Sequence, residues 1–227
     1  MAASLLLAAA PALAESATPT KSSVISACVL AAAQTRNTAI AAAKTARNSA
    51  TGPAKTTRDA ALASAKTVRD AALASAKTTR DNALSAAKTA RDTALATAKT
   101  TRDSAIASAS STRASALAAA NALTDPAAKQ AAIKAARTAY NSAVKDARAT
   151  YQLSVKTARD NYQLAVKSAR DAYQAAVKAA RDTYQSAVKD ARTAYQTSIK
   201  SAQDTYQAAV RAAQAAYQTA RQACKTQ

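Results

Sequence analysis

The sequence predicts an all-α fold: one long antiparallel hairpin of two helices built on eleven-residue repeats. Three observations predict it. Tyr140, Tyr151, Tyr162, Tyr173, Tyr184, Tyr195, Tyr206 and Tyr217 recur every eleven residues, in step with a lysine row from Lys134 to Lys200 and a Val/Ile row from Val144 to Val210. The chain is 49% hydrophobic, yet that share is mostly alanine: there is no Phe or Trp and only one Gly. Finally, Cys28 and Cys224 stand equally far from Pro126, on either side of it.

The repeat itself makes the helix. Counting from each lysine as position 0, Ala falls at position 2, Tyr at 6, Ala or Ser at 9, and Val or Ile at 10. At about 100° per residue these positions share an arc of roughly 100°, the width of a buried helical stripe. Lys, Arg, Asp and Gln take the opposite side. Eleven residues in three turns is about 3.67 per turn, so the seam runs straight or winds weakly right-handed as a hendecad coiled coil. Large interdigitating side chains are what a globular core requires. A chain dominated by Ala, the strongest helix former, favours long helices instead.

From the N-terminus, residues 1–14 (MAASLLLAAAPALA) form an apolar run closing on Ala12-Leu13-Ala14, an A-x-A cleavage pattern that reads as a signal peptide without its basic n-region. An apolar tail is the alternative. Residues 15–21 form a polar tail, and helix 1 spans 22–121. In helix 1 Arg36 to Arg113 form one eleven-residue row, and Lys44 to Lys99 another. Gly52-Pro53 predicts a kink near 52–53 rather than a boundary, because Lys44 and Lys55 stay in phase across it. The rhythm stops near Asn121. Residues 122–126 form the turn, with Asp125-Pro126 a strong start for helix 2 at 127–225. A short connection makes the helices antiparallel neighbours, each on the order of 140 Å long.

Folding the chain about Pro126 brings Cys28 opposite Cys224, at the open end. Two cysteines in an exported chain point to a disulfide, with free thiols or intermolecular pairing the alternatives. In that register the seam of helix 1 is small, with Ala61, Ala72, Ala83 and Ala94 at position 6 and Ala65 to Ala98 at position 10. The seam of helix 2 carries Tyr151, Tyr162, Tyr173 and Tyr184 together with Val155, Val166, Val177 and Val188. Tyr184 is expected to face Val68, and Tyr173 to face Thr79. The tyrosines read as seam packing rather than a stacking platform for bases or sugars. Leu62, Leu73, Leu84, Leu95, Ile106 and Leu117 flank this seam. They either lap over its edge beneath arginine stems or form an interaction stripe for a homodimer or a lipid surface.

The chain carries 32 Lys and Arg against 13 Asp and Glu, a net charge of +19, and no His. Without His the commonest general base and metal ligand are missing, and a single Gly excludes a Gly-rich phosphate loop. No cofactor, metal, small-molecule substrate or catalytic residue is expected. The charge predicts salt-sensitive, nonspecific attraction to a polyanion, whether cell-wall polymer or anionic lipid, and argues against specific nucleic-acid recognition.

The chain resembles alanine-rich fish antifreeze helices, late-embryogenesis-abundant proteins and exchangeable apolipoproteins in period alone, and no functional residue is carried over from them. The expectation is a non-enzymatic, secreted or periplasmic spacer rod associated with a bacterial-type cell envelope. The alternative is a basic amphipathic surface-binding protein for anionic lipid or cell-wall polymer.

Overall fold

The computed structural model describes residues 20–226. The signal peptide expected at 1–14 and residues 15–19 of the expected tail lie outside the described residues. Two helices, α1 (Lys21–Asn121) and α2 (Pro126–Thr226), pack together as a helical hairpin.

Both helix starts are capped by side chains. At α1 the Thr20 hydroxyl accepts a hydrogen bond from the Ser23 N–H at 3.3 Å, and the Ser23 hydroxyl donates to the Thr20 carbonyl at 2.8 Å. At α2 the Asp125 carboxylate accepts from the Ala127 and Ala128 N–H groups at 3.2 and 3.0 Å. Pro126 follows at the first helical position, where its missing N–H costs nothing. The Lys129 ammonium reaches back to the Asn121 carbonyl at 3.4 Å, placing a cation on the orphan acceptors that end α1.

Helix α1 continues through Gly52 and Pro53. Proline leaves one carbonyl of the preceding turn without its usual donor. Two threonine hydroxyls donate to carbonyls beside that gap, Thr51 to Asn48 at 3.2 Å and Thr56 to Gly52 at 3.3 Å.

The hairpin divides into two compact units. One contains residues up to Leu62 and those from Lys189 onward; the other is Ala63–Val188 with the turn. In the turn-containing unit the buried residues are alanines: Ala76, Ala87, Ala98 and Ala120 on α1, and Ala136, Ala158, Ala169 and Ala180 on α2. In the other unit they are Ala191, Ala202, Ala213 and Cys224. A methyl group at each central position lets helix axes approach the short end of the usual 8–10 Å range. The cost is a thin core: each buried alanine removes little apolar area from water.

Cys28 and Cys224 form a disulfide across a sequence separation of 196, with their Cα atoms 5.8 Å apart, well inside the range a disulfide spans. Cys224 is the most enclosed side chain of its unit, 2% exposed. Closing so long a loop restricts the unfolded chain, and the chain-entropy account puts the stabilisation at up to about 5 kcal/mol. Reducing the protein is therefore expected to lower its thermal midpoint by several degrees, measured by circular dichroism with and without reductant. An unchanged midpoint would show that the open end contributes nothing to cooperative unfolding.

Candidate functional site

The repeated chemistry of this chain lies between the helices. In every pair an α1 arginine lies over an α2 tyrosine. The unit holding the disulfide has Arg36 on Tyr217, Arg47 on Tyr206 and Arg58 on Tyr195, with guanidinium carbons 4.7, 4.8 and 4.4 Å from the ring centroids. The unit holding the turn has Arg69 on Tyr184, Arg80 on Tyr173, Arg91 on Tyr162, Arg102 on Tyr151 and Arg113 on Tyr140, at 4.2 to 4.6 Å. All sixteen side chains are half-buried. The aliphatic stem of each arginine shields the ring from water while its charged plane meets the negative ring face.

Every guanidinium but that of Arg113 is also hydrogen-bonded to the next residue in the chain. Arg58, Arg69, Arg80, Arg91 and Arg102 donate through Nε and Nη2 to Asp59, Asp70, Asp81, Asp92 and Asp103. Arg36 and Arg47 use the amide oxygens of Asn37 and Asn48 in the same way. A lysine one turn earlier completes the arrangement: Lys66 reaches Asp70 at 2.9 Å, Lys77 reaches Asp81 at 3.2 Å and Lys99 reaches Asp103 at 2.8 Å. The result is a relay of alternating charge, such as Lys66–Asp70–Arg69–Tyr184, present in three repeats of α1. Arg113 is followed by Ala114 and lacks this support; its Nε is buried without a partner.

These contacts set the carboxylates' proton affinity. Asp70 is held below the ordinary carboxylate value chiefly by its hydrogen bond from Lys66, then by that from Arg69. Arg80 dominates at Asp81, and Lys99 at Asp103. On α2 the ammonium groups of Lys156, Lys167 and Lys178 are raised above the ordinary lysine value by hydrogen bonds to Asp160, Asp171 and Asp182.

The two helices use arginine differently. On α2, Arg137, Arg148, Arg159, Arg170, Arg181 and Arg192 are exposed, and among the described residues none makes an ion pair or a side-chain hydrogen bond. No protein-family model, characterised protein or solved structure matches this chain.

The Arg–Tyr packing moves the α1 side of the interface round the helix from its expected place. Ala61, Ala72, Ala83 and Ala94, expected in the seam, are exposed. Ala76, Ala87 and Ala98, from the position-10 row also placed in the expected seam, are buried, with Arg and Leu half-buried beside them. Val68, expected against Tyr184, is 56% exposed, and Thr79, expected against Tyr173, is exposed as well. The rings meet Arg69 and Arg80 instead, one residue further along. The physical reason is that a long arginine stem covers a tyrosine ring where an alanine or valine would leave its face wet.

On α2, Tyr151, Tyr162, Tyr173 and Tyr184 and Val155, Val166, Val177 and Val188 are all half-buried. So are Leu62, Leu73, Leu84, Leu95, Ile106 and Leu117 on α1. The displaced α1 alanines border shallow grooves: Ala94 joins Ala98, Ala147 and Ala158 around one of about 760 Å³ in the turn-containing unit.

The burial pattern and the ion pairs can each be tested. Ala87→Leu, at a buried position, is expected to destabilise the chain by about 1–3 kcal/mol through overpacking. Ala83→Leu, four residues earlier and exposed, should stay within about 0.5 kcal/mol. Chemical denaturation of both variants reads the difference, and equal effects would contradict the assignment. The second test concerns acid. Depressed carboxylates stabilise the fold above their ordinary pKa, and that contribution is lost as pH falls from there through the lower folded-state value. A triple variant Asp70→Asn, Asp81→Asn, Asp103→Asn should therefore show a flatter loss of thermal midpoint below about pH 5 than the parent chain. Identical acid limbs would show that the relay does not couple to stability.

Proposed function

We propose that this chain is a non-enzymatic structural element, an exported spacer or scaffold whose output is the separation it maintains along a hendecad coiled coil. One observation carries the reading: eight equivalent Arg–Tyr contacts, each in its own repeat, devote the recurring residues to holding one helix against the other. A period of about 3.67 residues per turn keeps such a seam facing its partner without strong supercoiling. The A-x-A pattern ending at Ala14 supports export. The disulfide fits an oxidising compartment, the cell envelope among them.

A spacer made of interchangeable repeats must tolerate changes of length that keep its two sides matched. Deleting residues 77–87 of α1 together with the facing 166–176 of α2 removes one Arg–Tyr pair, Arg80 with Tyr173, and leaves every other pair in register. This shortened chain should fold cooperatively and still form the Cys28–Cys224 disulfide. Deleting 77–87 alone displaces the cysteines by about 16.5 Å along the helix, at 1.5 Å per residue, and should suppress the intrachain disulfide. Non-reducing mass spectrometry reads both. Failure of the matched deletion to fold, or equal disulfide yield from the two deletions, would refute interchangeable repeats. Amino-terminal sequencing of the protein recovered from its source tests export separately: a mature chain starting at Glu15 is expected, and an intact Met1 would refute it.

A further inference from the structure

We propose that the exposed Arg–Gln–Lys face of α2 in the turn-containing unit binds a linear polymer of polyol-phosphate units. The two helices use arginine unequally. On α1 each guanidinium of this unit is stacked on tyrosine, and all but that of Arg113 also bond an aspartate. On α2, Arg137, Arg148, Arg159, Arg170 and Arg181 are exposed and unopposed among the described residues. The lysines beside them are partly neutralised: Lys156, Lys167 and Lys178 bond Asp160, Asp171 and Asp182 at 2.6, 2.6 and 2.5 Å. Together with Lys134 and Lys145, the guanidiniums are thus the cations of this face that make no ion pair among the described residues, and they repeat about every 16.5 Å along one helix.

Between the arginine and lysine rows runs a row of exposed amides, Gln152, Gln163, Gln174 and Gln185. Where Gln152, Lys156, Arg159 and Gln163 meet, they line a surface depression of about 450 Å³ together with Tyr151, Val155 and Asp160, whose carboxylate is engaged by Lys156. A guanidinium matches phosphate oxygens with paired donors, and a primary amide both donates to and accepts from hydroxyls. Phosphates spaced by hydroxyl-bearing units present both partners on one strand.

A lipid bilayer fits this face less well. Peripheral helices hold a bilayer by sinking apolar side chains beside their cations. The exposed leucines nearby, Leu153 and Leu164, are 66% and 67% exposed but stand about 100° round the helix from the glutamines.

The test uses the full chain and poly(glycerol phosphate) as the probe, with neutral dextran and vesicles of anionic phospholipid as comparison arms. Two variants remove equal charge. One carries Arg148→Gln, Arg159→Gln, Arg170→Gln and Arg181→Gln on α2; the other carries Lys66→Gln, Lys77→Gln, Lys88→Gln and Lys99→Gln on α1. The α2 variant should lose at least about tenfold in affinity for the polymer, with a salt slope shallower by about 3. The α1 variant should stay within about threefold of the parent. Should the fourfold α2 change disturb helicity, Arg159→Gln with Arg170→Gln should give a proportionate loss in a folded chain.

Equal loss in both variants would reduce the interaction to net charge and overturn the proposal. Retention on vesicles but not on the polymer, or equal retention on neutral dextran, would overturn it too. None of these outcomes bears on the matched-deletion experiment, so the spacer reading and the polymer site fail separately.

Discussion

An alanine at the centre of each contact layer is the constraint on which the rest of the structure depends. Methyl-sized contacts allow two helices to lie close, but they leave almost nothing apolar to hide. The flanks must then supply what the centre lacks. Tyrosine on one helix gives a broad surface at small cost in side-chain freedom, and arginine on the other gives a stem long enough to cover it. The aspartate that follows Arg58, Arg69, Arg80, Arg91 and Arg102 has its place in the same scheme. It pins the guanidinium so that the stem lies along the ring and does not wander into solvent.

Much of this was legible in the residues themselves. The tyrosine, valine and alanine rows of α2 mark one face because three apolar types recur at one period. Asp125-Pro126 marks the start of α2 because its capping chemistry is local. The cysteine pairing was legible too, since two residues equidistant from a turn must meet if the helices run level. What the pattern concealed was the rotational setting of α1. Helical-wheel reasoning classes Arg69 or Arg80 as polar and turns it toward water, which moves the seam onto Ala72 and Ala83. An arginine is apolar for most of its length and charged only at its tip. A two-class pattern has no place for such a residue, and the error follows directly from that.

The same comparison explains why the two helices differ in surface chemistry although both carry eleven-residue rows of arginine. On α1 the row falls beside the buried alanines and is absorbed by the interface. On α2 the arginines, such as Arg159, stand about 100° round the helix from the buried Ala158, and among the described residues none is engaged by another side chain. Identical residue types at identical spacing thus have different roles, determined only by their phase relative to the buried position.

Because successive layers are near copies, α2 could slide past α1 by one whole repeat and recover all but the terminal contacts. The pairing energy is therefore nearly degenerate between native and slipped alignments, and the repeats cannot choose among them. That choice falls to the parts that occur once: the Asp125-Pro126 cap, the Lys129 bond to the Asn121 carbonyl and the Cys28–Cys224 bridge. A chain whose repeats are this uniform has handed its alignment over to its two ends.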